Sequence, residues 1–151
     1  MSANVSTVKS HQNISWPYLI AALVSLIGLG DAIYLTVQDL TGQTFRCTIV
    51  SGCNEVLSSP YAHIGSFPLA ALGAIAYFVV FSLSILAAFG YHLAKPLLAM
   101  MIAAMFLTTL WLLYLQAFVI HHFCQYCLLS AAVTTILTAI VLGFLIVKRH
   151  A

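Results

Sequence analysis

Apolar residues fill four long runs of this chain, and polar residues are confined to the stretches between them. The runs extend from Trp16 to Gln38, Pro68 to Phe89, Pro96 to Ile120 and Cys124 to Val147. Each is about 20 residues or longer, enough at about 1.5 Å per residue to cross a hydrocarbon core of roughly 30 Å. The pattern predicts four spanning helices, hence an all-α integral membrane four-helix bundle. Three linkers join them. Asp39 to Phe67 is long and polar, with Thr41-Gly42-Gln43, Ser51-Gly52 and Ser58-Ser59-Pro60 as turn signals. Ser51 is placed to cap a short helix through Val56 and Leu57 that Pro60 ends. Gly90 to Lys95 forms the second turn, and His121-His122-Phe123 a tight third. The organisation is a polar tail over 1–15, a membrane domain over 16–147 carrying the loop 39–67, and a second tail over 148–151. Gly28-Leu29-Gly30 faintly resembles a leader-cleavage site, but the first run is longer than a signal-peptide core and reads as an uncleaved anchor.

Composition sharpens this picture. The 151 residues are 63% hydrophobic and 5% charged, too few charges to cover a soluble domain. A net charge of +2 gives no nucleic-acid footprint, so nucleic acid is not an expected partner; the lipid bilayer is. Basic residues set the orientation. With four spans both ends share a side, and Lys9, Lys95, Lys148 and Arg149 lie there against Arg46 alone opposite. That bias puts both termini in the cytoplasm and the long loop outside. The expected location is a bacterial inner membrane with the cysteines facing the periplasm; the alternative is the endoplasmic reticulum. Either compartment lets disulfides persist.

The candidate chemistry is in the four cysteines. Cys124-Gln125-Tyr126-Cys127 is a Cys-x-x-Cys pair at a helix start, where the helix dipole favours a thiolate. Cys124 is expected at the rim, with Cys127 about 4.5 Å deeper. Cys47 and Cys53 sit in the long loop and can close into a disulfide, with Arg46 beside Cys47. Two pairs on one membrane face suggest a relay by thiol exchange; the alternatives are static staples or a zinc site. Oxidising surroundings and the five-residue gap count against zinc, so no metal is expected. Leu128 after Cys127 excludes the haem-attachment signature. Asp31 is the carboxylate within a span, and such a group is a functional candidate by default. Gln116 and Cys127 fall at a similar depth. Ser59 is either a turn residue or a donor to a polar ligand atom. Tyr34, Tyr114, Tyr126 and Trp16 are interfacial aromatics, or in part walls of an aromatic pocket. Asp39 and Glu55 read as solvated loop charges, and His63, His121 and His122 as uninformative.

The segments Asp31-Ala-Ile-Tyr-Leu-Thr36, Cys47-x5-Cys53, Val56-Leu-Ser-Ser-Pro-Tyr61, Phe67-Pro-Leu-Ala-Ala-Leu-Gly73 and Cys124-Gln-Tyr-Cys127 together resemble the vitamin K epoxide reductase family. The resemblance implies four helices around a quinone and electrons relayed from a thioredoxin-like partner. Cys124 and Cys127 would be the active-site pair, Cys127 nearest the quinone. Cys47 and Cys53 would be the shuttle, and Ser59 would lie by the quinone, with Asp31, Gln116 and Tyr114 as further pocket candidates. Vertebrate members hold vitamin K with a Tyr and an Asn; here Ala131 stands at the first position and Leu69 falls near the second. The resemblance therefore implies a bacterial-type thiol:quinone oxidoreductase using ubiquinone, menaquinone or a vitamin K-type quinone. With the chain ending at Ala151, its thioredoxin-like thiol oxidase partner is expected to be a separate protein. The alternatives are reduction of vitamin K quinone or its epoxide on the same scaffold, and a non-catalytic membrane subunit with structural disulfides.

Overall fold

The computed structural model describes residues 15–150. The tail at 1–14, Lys9 included, and Ala151 lie outside the described residues. Helix α1 covers Trp16–Leu40, with Pro17 in the first turn, where its missing N–H costs nothing. It runs two residues past Gln38 and stops at Thr41, whose hydroxyl donates to the Val37 carbonyl. Helix α2, Cys53–Leu57, lies in the long linker and is preceded by Gly52 rather than capped by Ser51. Pro60 does not end this helix but opens a 3-10 turn, Pro60–Ala62.

A two-stranded antiparallel hairpin then appears that the hydrophobic pattern does not predict. It pairs β1, His63–Ile64, with β2, Phe67–Pro68, around Gly65 at φ +65°. Strands of two residues carry no readable alternation. Helix α3 is Leu69–Ala88, and α4 is Ala94–Tyr114. From Leu115 to Ile120 the α4 rod continues as a wider π-helical turn, and His121 closes it in the left-handed conformation at φ 58°. That conformation usually falls to glycine at a helix end. Helix α5, Gln125–His150, extends three residues past Val147 and carries Lys148, Arg149 and His150 in its last turn, where cations suit the helix dipole.

Among the described residues, four helices are long and apolar enough to cross a membrane: Trp16–Leu40, Leu69–Ala88, Ala94–Ile120 and Gln125–His150. α1 packs on α3 and α5, and α4 on the same two, so the rods form a ring. A stripe of small residues on α1, Ala21, Ser25, Gly28 and Ala32, lets its neighbours approach closely. Gly28 faces the Tyr77 ring so tightly that any β-carbon there would enter it. The Tyr77 hydroxyl bonds Ser130 Oγ at 2.7 Å and Thr134 Oγ1 at 3.0 Å, tying α3 to α5 where lipid provides no water to replace them. Tyr77, Val80, Leu98, Ile102, Leu137 and Val141 fill the interior, while Leu23, Ile27, Leu107 and Ile146 point outward. Apolar residues inside and out suit a bundle bathed in hydrocarbon. Its cysteine end is where polar chemistry collects.

Candidate active site at the cysteine end of the bundle

Cys47 and Cys53 are joined as a disulfide with their α-carbons 6.1 Å apart, within the usual range. Cys124 and Cys127 are free thiols. Cys53, Val56 and Cys124 form one buried cluster, with Cys47, Cys127, Phe45 and Ile120 packed against it. Cys53 is 1% exposed and Cys124 0%, whereas Cys47 remains partly accessible. The fold thus brings four cysteines together across a sequence gap of more than 70 residues.

Local structure explains how. Asn54 Oδ1 accepts the Phe45 N–H at 3.0 Å and closes the loop on itself. Gly52 lies flat on the α4–α5 connection: a β-carbon there would sit 2.7 Å from the Phe123 carbonyl oxygen and 2.9 Å from His122 Cβ. On the other side, the π-helical turn presents buried Gln116, whose Oε1 accepts the Cys124 N–H at 3.2 Å. Cys124 immediately precedes α5, its carbonyl accepting the Leu128 N–H at 3.0 Å. Cys127 hydrogen-bonds to the Cys124 sulfur and holds that thiol down to about 7, against the upward push of burial. A thiol in this range is half-ionised near neutral pH, as a reactive cysteine requires.

Below the cluster is a chamber among the helices. Asp31, Ala32, Leu35 and Asp39 line it from α1, Leu112 to Gln116 in part from α4 and its π-helical turn, and Cys127, Ser130 and Ala131 from α5. Val56, Leu57 and Ser59 roof it, and Leu69 closes a side. Its volume is about 140 Å³. An apolar cavity of about 150 Å³ takes up benzene, so the chamber suits one flat ring. The Asp31 Oδ2 atom is buried without a hydrogen-bond partner among the described residues, leaving it available to a ligand. Ser59 Oγ donates to the Val56 carbonyl at 2.6 Å, so its lone pairs rather than its proton face outward.

Asp31, Gln116, Ser59 and Cys127 therefore share one chamber. Tyr114 does not line it. Tyr114 is 52% exposed and stacks with Trp111 and Phe118 on the outer face of α4. Two residues on a helix are about 200° apart, so with Gln116 inward Tyr114 points to lipid. Asp39 is not simply solvated either: its Oδ2 lies 3.1 Å from His63 Nε2 and fastens the end of α1 to β1. Tyr34 and Tyr126 meet each other at 5.4 Å on the cysteine side, whereas Trp16 stands exposed at the far end. His121 and His122 are exposed. Sequence reasoning missed the part played by Gln125, which bonds the loop from between the two active-site cysteines.

The model of one protein family, described as the vitamin K epoxide reductase family, matches residues 19–142. That span holds all four cysteines, the chamber and most of every long helix. Together with the four spanning helices and the buried cysteine cluster, it places this chain in the vitamin K epoxide reductase family of membrane oxidoreductases, which act on quinones.

Proposed function

We propose that the protein is a membrane thiol:quinone oxidoreductase that supports disulfide formation. The observation that carries this reading is the packing of Cys53 against Cys124 directly above a ring-sized chamber lined by Cys127. A thioredoxin-like partner, reduced, attacks the more accessible Cys47 of the loop disulfide. The partner leaves oxidised, and Cys47 and Cys53 become thiols. Cys53 thiolate attacks Cys124 of the oxidised inner pair, and Cys127 leaves as a thiolate. Cys47 then attacks Cys53, restoring the loop disulfide and releasing Cys124. A low thiol pKa makes Cys124 a good leaving group in that step. The outcome is an oxidised loop above a reduced inner pair.

A quinone bound in the chamber supplies the two-electron acceptor when Cys124 and Cys127 reclose. The two protons come from the thiols, and Asp31, whose buried Oδ2 has no partner among the described residues, would relay one to a ring oxygen. Ser59 and Gln116, which line the chamber, would hold the ring's polar edges. Leu69 and Ala131 both line the chamber, and neither can hydrogen-bond through its side chain. That favours an ordinary quinone over vitamin K epoxide as substrate. The cysteine end faces the periplasm in this reading, with the termini in the cytoplasm. Anaerobic rapid mixing of dithiol-reduced protein with ubiquinone, menaquinone and vitamin K epoxide tests it. At least one quinone should be reduced as Cys124–Cys127 closes, the epoxide should lag, and Asp31→Asn should slow the reaction about 100-fold, the typical scale of a positioned acid. Thiols that persist with every quinone would overturn the reading and favour structural disulfides.

A further inference from the structure

The two residues between Cys124 and Cys127 have no part in the relay just described. We propose that Gln125 and Tyr126 are positioning residues that clamp the Cys47 segment over the active-site pair and so set the reach of the relay. The proposal rests on that relay reading.

Gln125 Oε1 accepts the Ile49 N–H at 3.0 Å, the Thr48 N–H at 3.3 Å and the Thr48 hydroxyl at 3.3 Å. The Tyr126 hydroxyl donates to the Arg46 carbonyl at 2.9 Å. Cys47 is thus bracketed by bonds on both sides, all to residues inside the Cys-x-x-Cys motif. Helical geometry makes this division possible. At about 100° per residue Cys127 comes back to within about 60° of Cys124, whereas Gln125 and Tyr126 point to the opposite side. The thiols face the cluster and the chamber, Gln125 faces the loop, and Tyr126 packs on the cluster's edge with its hydroxyl reaching Arg46.

The remaining anchors act elsewhere. Residues 43–47 lie outside any helix or strand. Phe45 is tied to Asn54, a bond within the loop that leaves the loop free to lift as a unit. Gly52 holds the Cys53 end against Phe123 by close packing alone. Disulfide exchange between Cys53 and Cys124 needs α-carbons within about 7 Å. A loop held at both ends keeps Cys53 packed in one cluster with Cys124; one held only at Gly52 can hinge away with Cys47. Three of the four clamp contacts converge on the single amide oxygen of Gln125. A carboxylate there preserves the acceptor, and an aliphatic side chain removes it. The Tyr126 backbone N–H bonds the Cys124 sulfur, but the side chains of Gln125 and Tyr126 bond the loop instead, so neither side chain is assigned a chemical step.

The test uses full-length protein with Cys47→Ala and Cys127→Ala, which leaves Cys53 and Cys124 as one pair. Equilibration with glutathione buffers, followed by maleimide trapping, gives the effective concentration of one thiol at the other. Adding Gln125→Leu should lower it roughly tenfold or more, Tyr126→Phe by less, and Gln125→Glu by no more than about twofold. In a second background, Cys47→Ala with Cys53→Ala, the Cys124–Cys127 pair should change by less than about twofold on Gln125→Leu. An unchanged Cys53–Cys124 value in Gln125→Leu overturns the clamp. An equal fall in both pairs overturns it too, since that marks general loosening. Failure of Cys53 and Cys124 to join even with Gln125 present overturns the relay itself, a distinct result.

Discussion

Cys124 has its backbone, its sulfur and its neighbours each fixed by a different residue. Gln116 takes its N–H, Cys127 bonds its sulfur, and Cys53 packs on it. The prediction at this scale is ionic. In reduced protein lacking the loop cysteines, ultraviolet thiolate absorbance should rise with a midpoint at about 7. Lowering the pKa makes the thiolate the majority form above that pH and the thiol below it. Cys127→Ala removes the largest of the bonds that lower it, leaving the backbone N–H groups of residues 126 and 127 to oppose burial, so the midpoint should move up towards 9.0. A parent midpoint already near 9.0 would contradict the assignment. Some of this scale was legible in the chain. Asp31, Gln116 and Cys127 fall at matching depths by counting residues, and depth is what helical rise reports. Direction around the rod is not, because four runs apolar on every face show no inward stripe. That is why Tyr114 looks as much a pocket residue as Gln116, yet faces lipid.

Among the elements, the linkers rather than the long helices make the site. The π-helical turn Leu115–Ile120 widens the end of α4 and carries Gln116 beside Cys124, and its left-handed close at His121 turns the chain back into α5. Such turns recur at functional sites, but nothing in an apolar run marks one. The hairpin His63–Pro68 and its Asp39–His63 tie are likewise too short for a pattern to reveal. The glycine at position 52 had only a turn signal in the sequence; its packing on Phe123 depends on a contact about 70 residues away in the chain. Gly52→Ala tests that contact. The new methyl meets backbone, which cannot rotate aside, and overpacking of this kind costs about 1–3 kcal/mol. Thermal melting in detergent should show the loss. Cys53–Cys124 trapping should fall with it, while an unchanged melting temperature and full trapping would show that the loop rests elsewhere.

At the scale of the molecule, the sequence was most readable. Lipid demands long apolar helices, so length and composition alone placed four spans within a few residues of their observed ends. Orientation rests on charge: Lys95, Lys148 and Arg149 lie at the end opposite Arg46 and the cysteines. In cells producing the reduced protein, a membrane-impermeant maleimide should therefore modify Cys47 from outside. Labelling confined to inverted vesicles would reverse the topology and with it the side on which a thiol partner is met.

The whole arrangement exists, in this account, to set one sulfur beside a quinone. Cys127 lines the chamber; Cys124 is withdrawn into the cluster above it. A thiolate against a quinone ring donates charge and gives a visible absorption band, so the contact itself can be seen. Spectra of quinone-loaded variants are the most direct measurement. Cys124→Ala leaves Cys127 without its disulfide partner and should show the band, Ser59→Ala in that background should weaken it, and Cys127→Ala should abolish it. A band that survives loss of Cys127 and vanishes with loss of Cys124, or no band in either variant with quinone shown to be bound, would contradict the account.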